Sequence, residues 1–199
     1  PNRGCHDAIK ELYKRLNNTK ICYIVDADIK GFFDHMKHEW IIKFLNLYIK
    51  DPNIIGLVKK YLKVGVLDGG ELMMNEEGSA QGNIISPILA NIYMHNVLTL
   101  WYKFIITKEC KGDNFLIVYA DDFVAGFQYK WEAENYYKLL KERMEKFGLQ
   151  LEESKSHLLQ SGAYIARAKQ KSGESTRLET FDFLGFTFYC GRSRKGMPY

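Results

Sequence analysis

The sequence predicts an α+β fold, an antiparallel sheet packed on one face by helices, on three observations. Short β-branched or aromatic runs alternate with longer amphipathic stretches of helical period. Strand-like runs occur in pairs around turn-forming tips, which is the pattern of hairpins. Only one connection reads as a parallel crossover, so a doubly wound sheet is excluded.

The elements follow in order. Ala8, Ile9, Leu12, Tyr13 and Leu16 recur at helical spacing over 7–16 and stop at Asn17-Asn18. ICYIVDADI (21–29) is a nearly continuous apolar run, a strand covered on both faces. His38 to Ile49 is a helix ended by Asp51-Pro52, and Asn53 is expected to cap the next one, through Leu62. VGVLDGGELMM (64–74) is a hairpin turned by Asp68-Gly69-Gly70. A long helix runs from Ser86, with Pro87 in its first turn, to about Phe104; Leu89, Ile92, Tyr93, Val97, Leu100 and Trp101 line one side. FLIVYADDFVAGF (115–127) forms two strand-length arms around an acidic tip. Trp131 to Phe147 is an amphipathic helix closed by Gly148, and LQLEESKSHLL (149–159) is strand-like. Residues 162–180 are charged and aperiodic, expected as a mobile loop or extended hairpin that could touch a polyanion, and FDFLGFTFY (181–189) is a last hairpin.

The totals bound the function classes. With 199 residues, 46% hydrophobic and 14% aromatic, the chain can bury one sizeable core, which excludes a disordered segment. The net charge of +4 permits a nucleic-acid partner without demanding one. Cys5, Cys22, Cys110 and Cys190 form no CxxC pair, against a zinc knuckle or redox motif. No apolar stretch reaches transmembrane length and no signal segment opens the chain, so a cytoplasmic location is expected. The start at Pro1, without an initiator methionine, reads as a piece of a longer protein.

The acidic tip carries the chemistry. Two carboxylates ~4 Å apart repel by about 4 kcal/mol at an effective dielectric of ~20, so Asp121 and Asp122 either share a proton or meet a cation. DADIKGFFD adds Asp26, Asp28 and Asp34 at the end of the first strand. Asp28 and Asp121 are expected to converge there, with only one of Asp26 and Asp28 well aimed unless the strand bends. Hard oxygen donors with no His or Cys beside them favour Mg²⁺ over Zn²⁺, and a two-metal phosphoryl-transfer site uses such a cluster. An EF-hand is excluded because Lys30 and Lys37 stand where a calcium loop needs ligands. His35 and His38 lack the HExxH pattern of a zincin, and GSAQGN lacks the GK[ST] ending of a P-loop.

DADIKGFFD (26–34), GSAQGNIISPILANIY (78–93), YADDF (119–123), GLQLEESKSHLL (148–159) and FDFLGF (181–186), in this order, resemble the palm motifs of reverse transcriptases. The resemblance is to RNA-dependent DNA polymerases of bacterial group II intron-encoded proteins, or maturases. It implies a polymerase palm plus part of the fingers: a fingers-to-palm segment over 1–25 and a palm over 26–199, with a fingers-derived insertion around 35–80. The N-terminal fingers and the thumb and maturase region would lie outside the chain.

It also implies roles. Asp28 and Asp121 would hold two Mg²⁺ ions (Mn²⁺ can substitute), Asp122 would support them, and the Ile29 carbonyl would add a backbone ligand. Lys30, Gly31 and Phe32 would offer backbone N–H groups to the triphosphate of a dNTP, Phe33 would gate against a ribose 2′-OH, and Gln81 and Gly82 would lie under the nucleotide. Lys155 would donate a proton to pyrophosphate, and Phe183, Leu184 and Gly185 would form a primer grip. The pattern TPQGG common in such proteins is here Ser79-Ala80-Gln81-Gly82-Asn83, which implies tuning rather than loss. Expected partners are an RNA template, a DNA primer, dNTPs and intron RNA. Two alternatives stand beside the polymerase: an RNA-binding maturase in which polymerisation is secondary, and a defence-associated or diversity-generating reverse-transcriptase-like protein.

Overall fold

The computed structural model describes residues 4–63, 66–68, 71–73, 85–174 and 178–191, with the backbone alone for 66–68 and 71–73. Helix α1 (Cys5–Asn18) buries Leu12 and Leu16 and leads into β1 (Tyr23–Ala27). A single helical turn, α2 (Phe32–His35), precedes α3 (His38–Tyr48) and α4 (Pro52–Lys63). The cap of α4 is Asp51 rather than the expected Asn53, since the Asp51 carboxylate accepts the Asn53 N–H at 2.8 Å. Pro52, which has no N–H to satisfy, fits the first helical position.

A hairpin of β2 (Val66–Asp68) and β3 (Glu71–Met73) follows, as its turn residues predict. Helix α5 (Ser86–Met94) continues through π-helical turns at His95–Thr99 and Tyr102–Ile106 into α6 (Thr107–Glu109), several residues beyond the expected end at Phe104. Met94 and Leu98 join Leu89, Tyr93 and Val97 in the core. The carbonyls of Asn96 and Val97 accept from the Arg143 guanidinium at 3.3 and 2.9 Å.

The acidic hairpin is β4 (Asn114–Tyr119) and β5 (Asp122–Phe127), followed by α7 (Lys130–Lys146). The strand expected over 149–159 is mostly turn; only β6 (His157–Gln160) is regular, with one isolated bridge at Leu151. The expected loop at 162–180 contains a helix, α8 (Ala163–Ser172), which packs on α1. Its signal was a narrow small-residue stripe: Ala163 and Ala166 are buried, and Gly173 closes it in the left-handed conformation at φ 76°. The terminal hairpin is β7 (Phe181–Phe183) and β8 (Phe186–Phe188).

The main sheet has the order β4-β5-β1-β6, and each neighbouring pair is antiparallel. No parallel crossover is present among the described strands. Val25, Ala27, Phe123, Ala125 and Phe127 point to one face and form the larger core with α3, α4, α5 and α7. The expectation of helices on one face only is corrected by the other face. There Ile24, Phe115, Ile117, Val124 and Leu159 pack against Leu12 and Leu16 of α1 and Phe181 and Phe183 of the terminal hairpin. β1 is apolar on both faces along most of its length, so both must be covered. The four cysteines carry free thiols. Among the described residues, no helix is long and apolar enough to cross a membrane.

Candidate active site

The covering of the second face stops at one end of the sheet, and the acids lie there. A cavity of about 530 Å³ is lined by Asp26, Asp28 and Asp122 from the sheet, Ser154, Lys155 and His157 from the approach to β6, and 180–185 from the terminal hairpin. Asp26 pairs with Val124 on β5 and His157 on β6. Asp26 and Asp28 both line the cavity. The expectation that only one would be aimed is thus corrected: residues two apart on a pleated strand share a face.

Beyond Ala27 the strand is held by 150–152. Lys30 N–H donates to the Gln150 carbonyl at 2.9 Å, and Glu152 N–H donates to the Asp28 carbonyl at 2.8 Å. These bonds flank the Ile29–Leu151 bridge, so the Ile29 carbonyl is directed away from Leu151. They also commit the Lys30 amide, one of the three expected to face a triphosphate. Gly31 follows in the left-handed region at φ 52°, turning the chain sharply into α2. Phe32 is buried against Tyr93, and half-buried Phe33 meets Phe32 edge-on with ring centroids 5.4 Å apart.

The acidic tip is strained. Ala120 has φ 55° at the first position of the two-residue loop between β4 and β5, a place that glycine normally takes. Such a conformation costs a non-glycine residue about 1–2 kcal/mol, and strain of this kind gathers at functional sites. Asp122, paired with Tyr119, faces the cavity, whereas half-buried Asp121 sits in the turn and is not part of the cavity wall. The second strained residue, Leu184 at φ 52°, shares the turn of the terminal hairpin with Gly185 at φ 76°, and both line the same cavity. Buried Phe183 anchors that turn in the core.

Charge repulsion is visible in the carboxyls. Burial, and then the charges of Asp182, Asp122 and Asp28, push Asp26 from its ordinary 3.8 up to about 7. Burial, followed by Asp121 and Asp28, also raises Asp122. Lys155 offsets part of this charge with its ammonium 3.4 Å from Asp28, in a pair open to solvent. Among the described residues no three His, Cys, Asp or Glu side chains form a ready-made cage for a metal ion. The donors themselves, carboxylates that repel one another plus an outward carbonyl, have the chemistry of a hard divalent cation site, and a bound cation would relieve that repulsion.

Asp28, Asp122, Lys155 and Phe183 to Gly185 therefore come together around one cavity, with Asp121 adjoining it. Ile29 to Phe33 are not part of the cavity wall, and Ile29 and Phe32 are buried in the larger core. Gln81 and Gly82 lie outside the described residues. Sequence reasoning missed Asp182 and His157 and gave Asp26 no role. Alternation in FDF could have revealed Asp182, since the two phenylalanines are buried and the residue between them is exposed.

The sequence profile of the family described as reverse transcriptase (RNA-dependent DNA polymerase) matches residues 1–188. The group II intron-encoded protein LtrA of Lactococcus lactis subsp. cremoris is 37% identical over 113 residues, covering 57% of this chain and 18% of that protein. An uncharacterized 91 kDa protein in the cob intron of Schizosaccharomyces pombe is 39% identical over 98 residues, 49% of this chain and 12% of that one. The chain thus spans less than a fifth of the length of these relatives. Among solved structures, apo telomerase from Candida tropicalis shares the fold, with a TM-score of 0.68 at 15% identity over 95% of this chain and 35% of that chain.

Proposed function

Since the chain belongs to the reverse transcriptase (RNA-dependent DNA polymerase) family, we propose that it carries the polymerising centre of an RNA-directed DNA polymerase, which adds dNTPs to a primer 3′-OH on an RNA template. The observation that carries this reading is that Asp28 and Asp122 line the same cavity as the Leu184-Gly185 turn. Acids and a strand-holding turn in one cavity are what in-line attack by a primer terminus requires.

Asp28, Asp121 and Asp122, with the Ile29 carbonyl, would hold two Mg²⁺ ions, whose chemistry when bound is to acidify the attacking hydroxyl and neutralise the leaving pyrophosphate. The chain's own residues do the rest. Phe183, Leu184 and Gly185 orient the primer end. The 3′-oxygen gives its proton to solvent water and bonds to the α-phosphorus as the bond to pyrophosphate breaks. Lys155 supplies a proton to that leaving group, once its pairing with Asp28 is released. The amides of Gly31 and Phe32 and the ring of Phe33 meet the incoming nucleotide, with Gln81 and Gly82 beneath it.

The finer role we infer is group II intron mobility with assistance to splicing, supported by the intron-encoded relatives. The test is primer extension on an RNA template by the full-length protein with Mg²⁺. Asp121→Asn should lower extension by at least roughly 10²- to 10³-fold, the scale of losing one transition-state electrostatic contact. Undiminished extension would overturn the reading. Splicing assistance that survives in the same variant would show intron-RNA binding to be separable from polymerisation.

A further inference from the structure

One cavity-lining side chain has no part in the chemistry above. His157 opens β6 directly across from Asp26 on β1, and it lines the same cavity as Asp28, Asp122, Leu184 and Gly185. Paired residues on antiparallel strands share a face, so the imidazole stands on the acid-bearing side of the sheet. His157 is exposed, and no hydrogen bond or ion pair engages its side chain among the described residues.

The remaining wall is unfavourable to a polyanion. Asp26, Asp28, Asp122 and Asp182 all line it. Lys155, also on the wall, is drawn to Asp28 at 3.4 Å. The Ser154 hydroxyl is given to Glu152 at 2.9 Å. A strand laid against the Leu184-Gly185 turn must carry its phosphates past these carboxylates. Apart from the Thr180 hydroxyl, His157 is the uncommitted side-chain donor among the described residues of that wall. It stands one rung deeper along the sheet than Asp28, on the side away from the acidic turn.

We propose that His157 donates a hydrogen bond to a backbone phosphate of the primer strand close to its 3′ end. This rests on the polymerase reading and adds to it a contact on β6, outside the hairpin that forms the grip. The donor is a ring N–H with enough exposed surface to reach a phosphate oxygen, and the contact offsets locally the repulsion that four aspartates impose.

The test separates binding from chemistry. Affinity of the full-length protein for a primer–template is measured by fluorescence anisotropy without nucleotide, using primers with one neutral methylphosphonate at each of the last few linkages. His157→Ala should weaken binding by roughly 5- to 20-fold, the range for one hydrogen bond to a charged acceptor. His157→Gln, which keeps an N–H donor and a similar reach, should recover most of the loss and shows that the fold is intact. In the unsubstituted protein one methylphosphonate position should be costly, and at that position His157→Ala should lose nothing further. Wild-type affinity in His157→Ala, or losses that simply add at every linkage, would overturn the proposal. A protein that binds with this pattern but does not extend the primer would overturn the polymerase reading and leave the contact standing. Extension with a methylphosphonate profile indifferent to His157 would do the reverse.

Discussion

The two faces of the central sheet are built from the same strands yet serve opposite ends. On the helix-covered face the apolar positions run without interruption from Val25 through Ala27 to Ile29, and from Phe127 through Ala125 to Phe123. On the other face the same strands read Ile24, Asp26, Asp28 and Val124, Asp122: apolar where α1 and the terminal hairpin cover them, acidic where that cover ends. The larger core can be completed because helices of 11 to 17 residues span it. The smaller core is covered by α1, of 14 residues, and by a hairpin with strands of 3 residues, and it runs out before the strand ends. The lesson is that the cavity needs no separate device. It is the part of a two-faced sheet that α1 and the terminal hairpin leave open, and the acids tolerate it because water or a cation can reach them.

The largest break in this contrast comes from the covered face. Phe127→Ala removes a fully buried ring packed between Tyr102 and Tyr136, and should cost about 3–5 kcal/mol in a denaturant unfolding experiment. A loss below about 1 kcal/mol would mean that this face does not carry the stability assigned to it.

A smaller effect, of opposite sign, belongs to the acidic face. Asp26 has its pKa raised from 3.8 unfolded to about 7 folded, so between these values the native state binds more protons than the unfolded chain. By linkage the contribution of Asp26 is fully present below about pH 4 and declines as pH rises toward about 7. Asp26→Asn, which carries no charge at any pH, should flatten that part of the profile and be at least as stable as the parent at pH 7. A profile unchanged by the substitution would remove Asp26 from the repelling cluster.

The smallest effect sharpens the comparison at the grip. Leu184 and Gly185 both have positive φ, the two-residue turn for which Asn-Gly is preferred. Leu184→Asn should stabilise the fold by up to about 1 kcal/mol by relieving strain. The same change should weaken primer–template affinity, since the apolar side chain on the cavity wall is lost. Stabilisation without any change in affinity would separate the strain from the function.

How far these regions could be read in advance differs. Each local pattern with a strong period or strong turn chemistry was legible: β1, the Asp121-Asp122 hairpin, α7 up to Gly148 and the terminal hairpin all stand where apolar spacing puts them. Helix α8 was not, because Lys, Arg and Gln dominate it and only Ala163 and Ala166 mark its buried side. The run at 149–159 reads apolar enough for a strand, but Glu152 to Ser156 bend to hold the end of β1. The acids themselves were plain in the sequence. That Asp122, rather than Asp121, faces the cavity was not, because which of two adjacent residues points inward depends on the turn geometry at Ala120.

The sequence by itself determined what depends on neighbours along the chain: the order of elements, the turn residues, the apolar stripes and the presence of unusual acids in apolar surroundings. Only the tertiary structure decided that Asp26 and Asp28, Asp122, Lys155 and His157, and Asp182 meet at one cavity. Their meeting follows from the sheet order β4-β5-β1-β6, which pairs β1 with strands about 100 and 130 residues later. Such pairing is selected by which faces can be buried together once the whole chain has collapsed, and no local spacing encodes it.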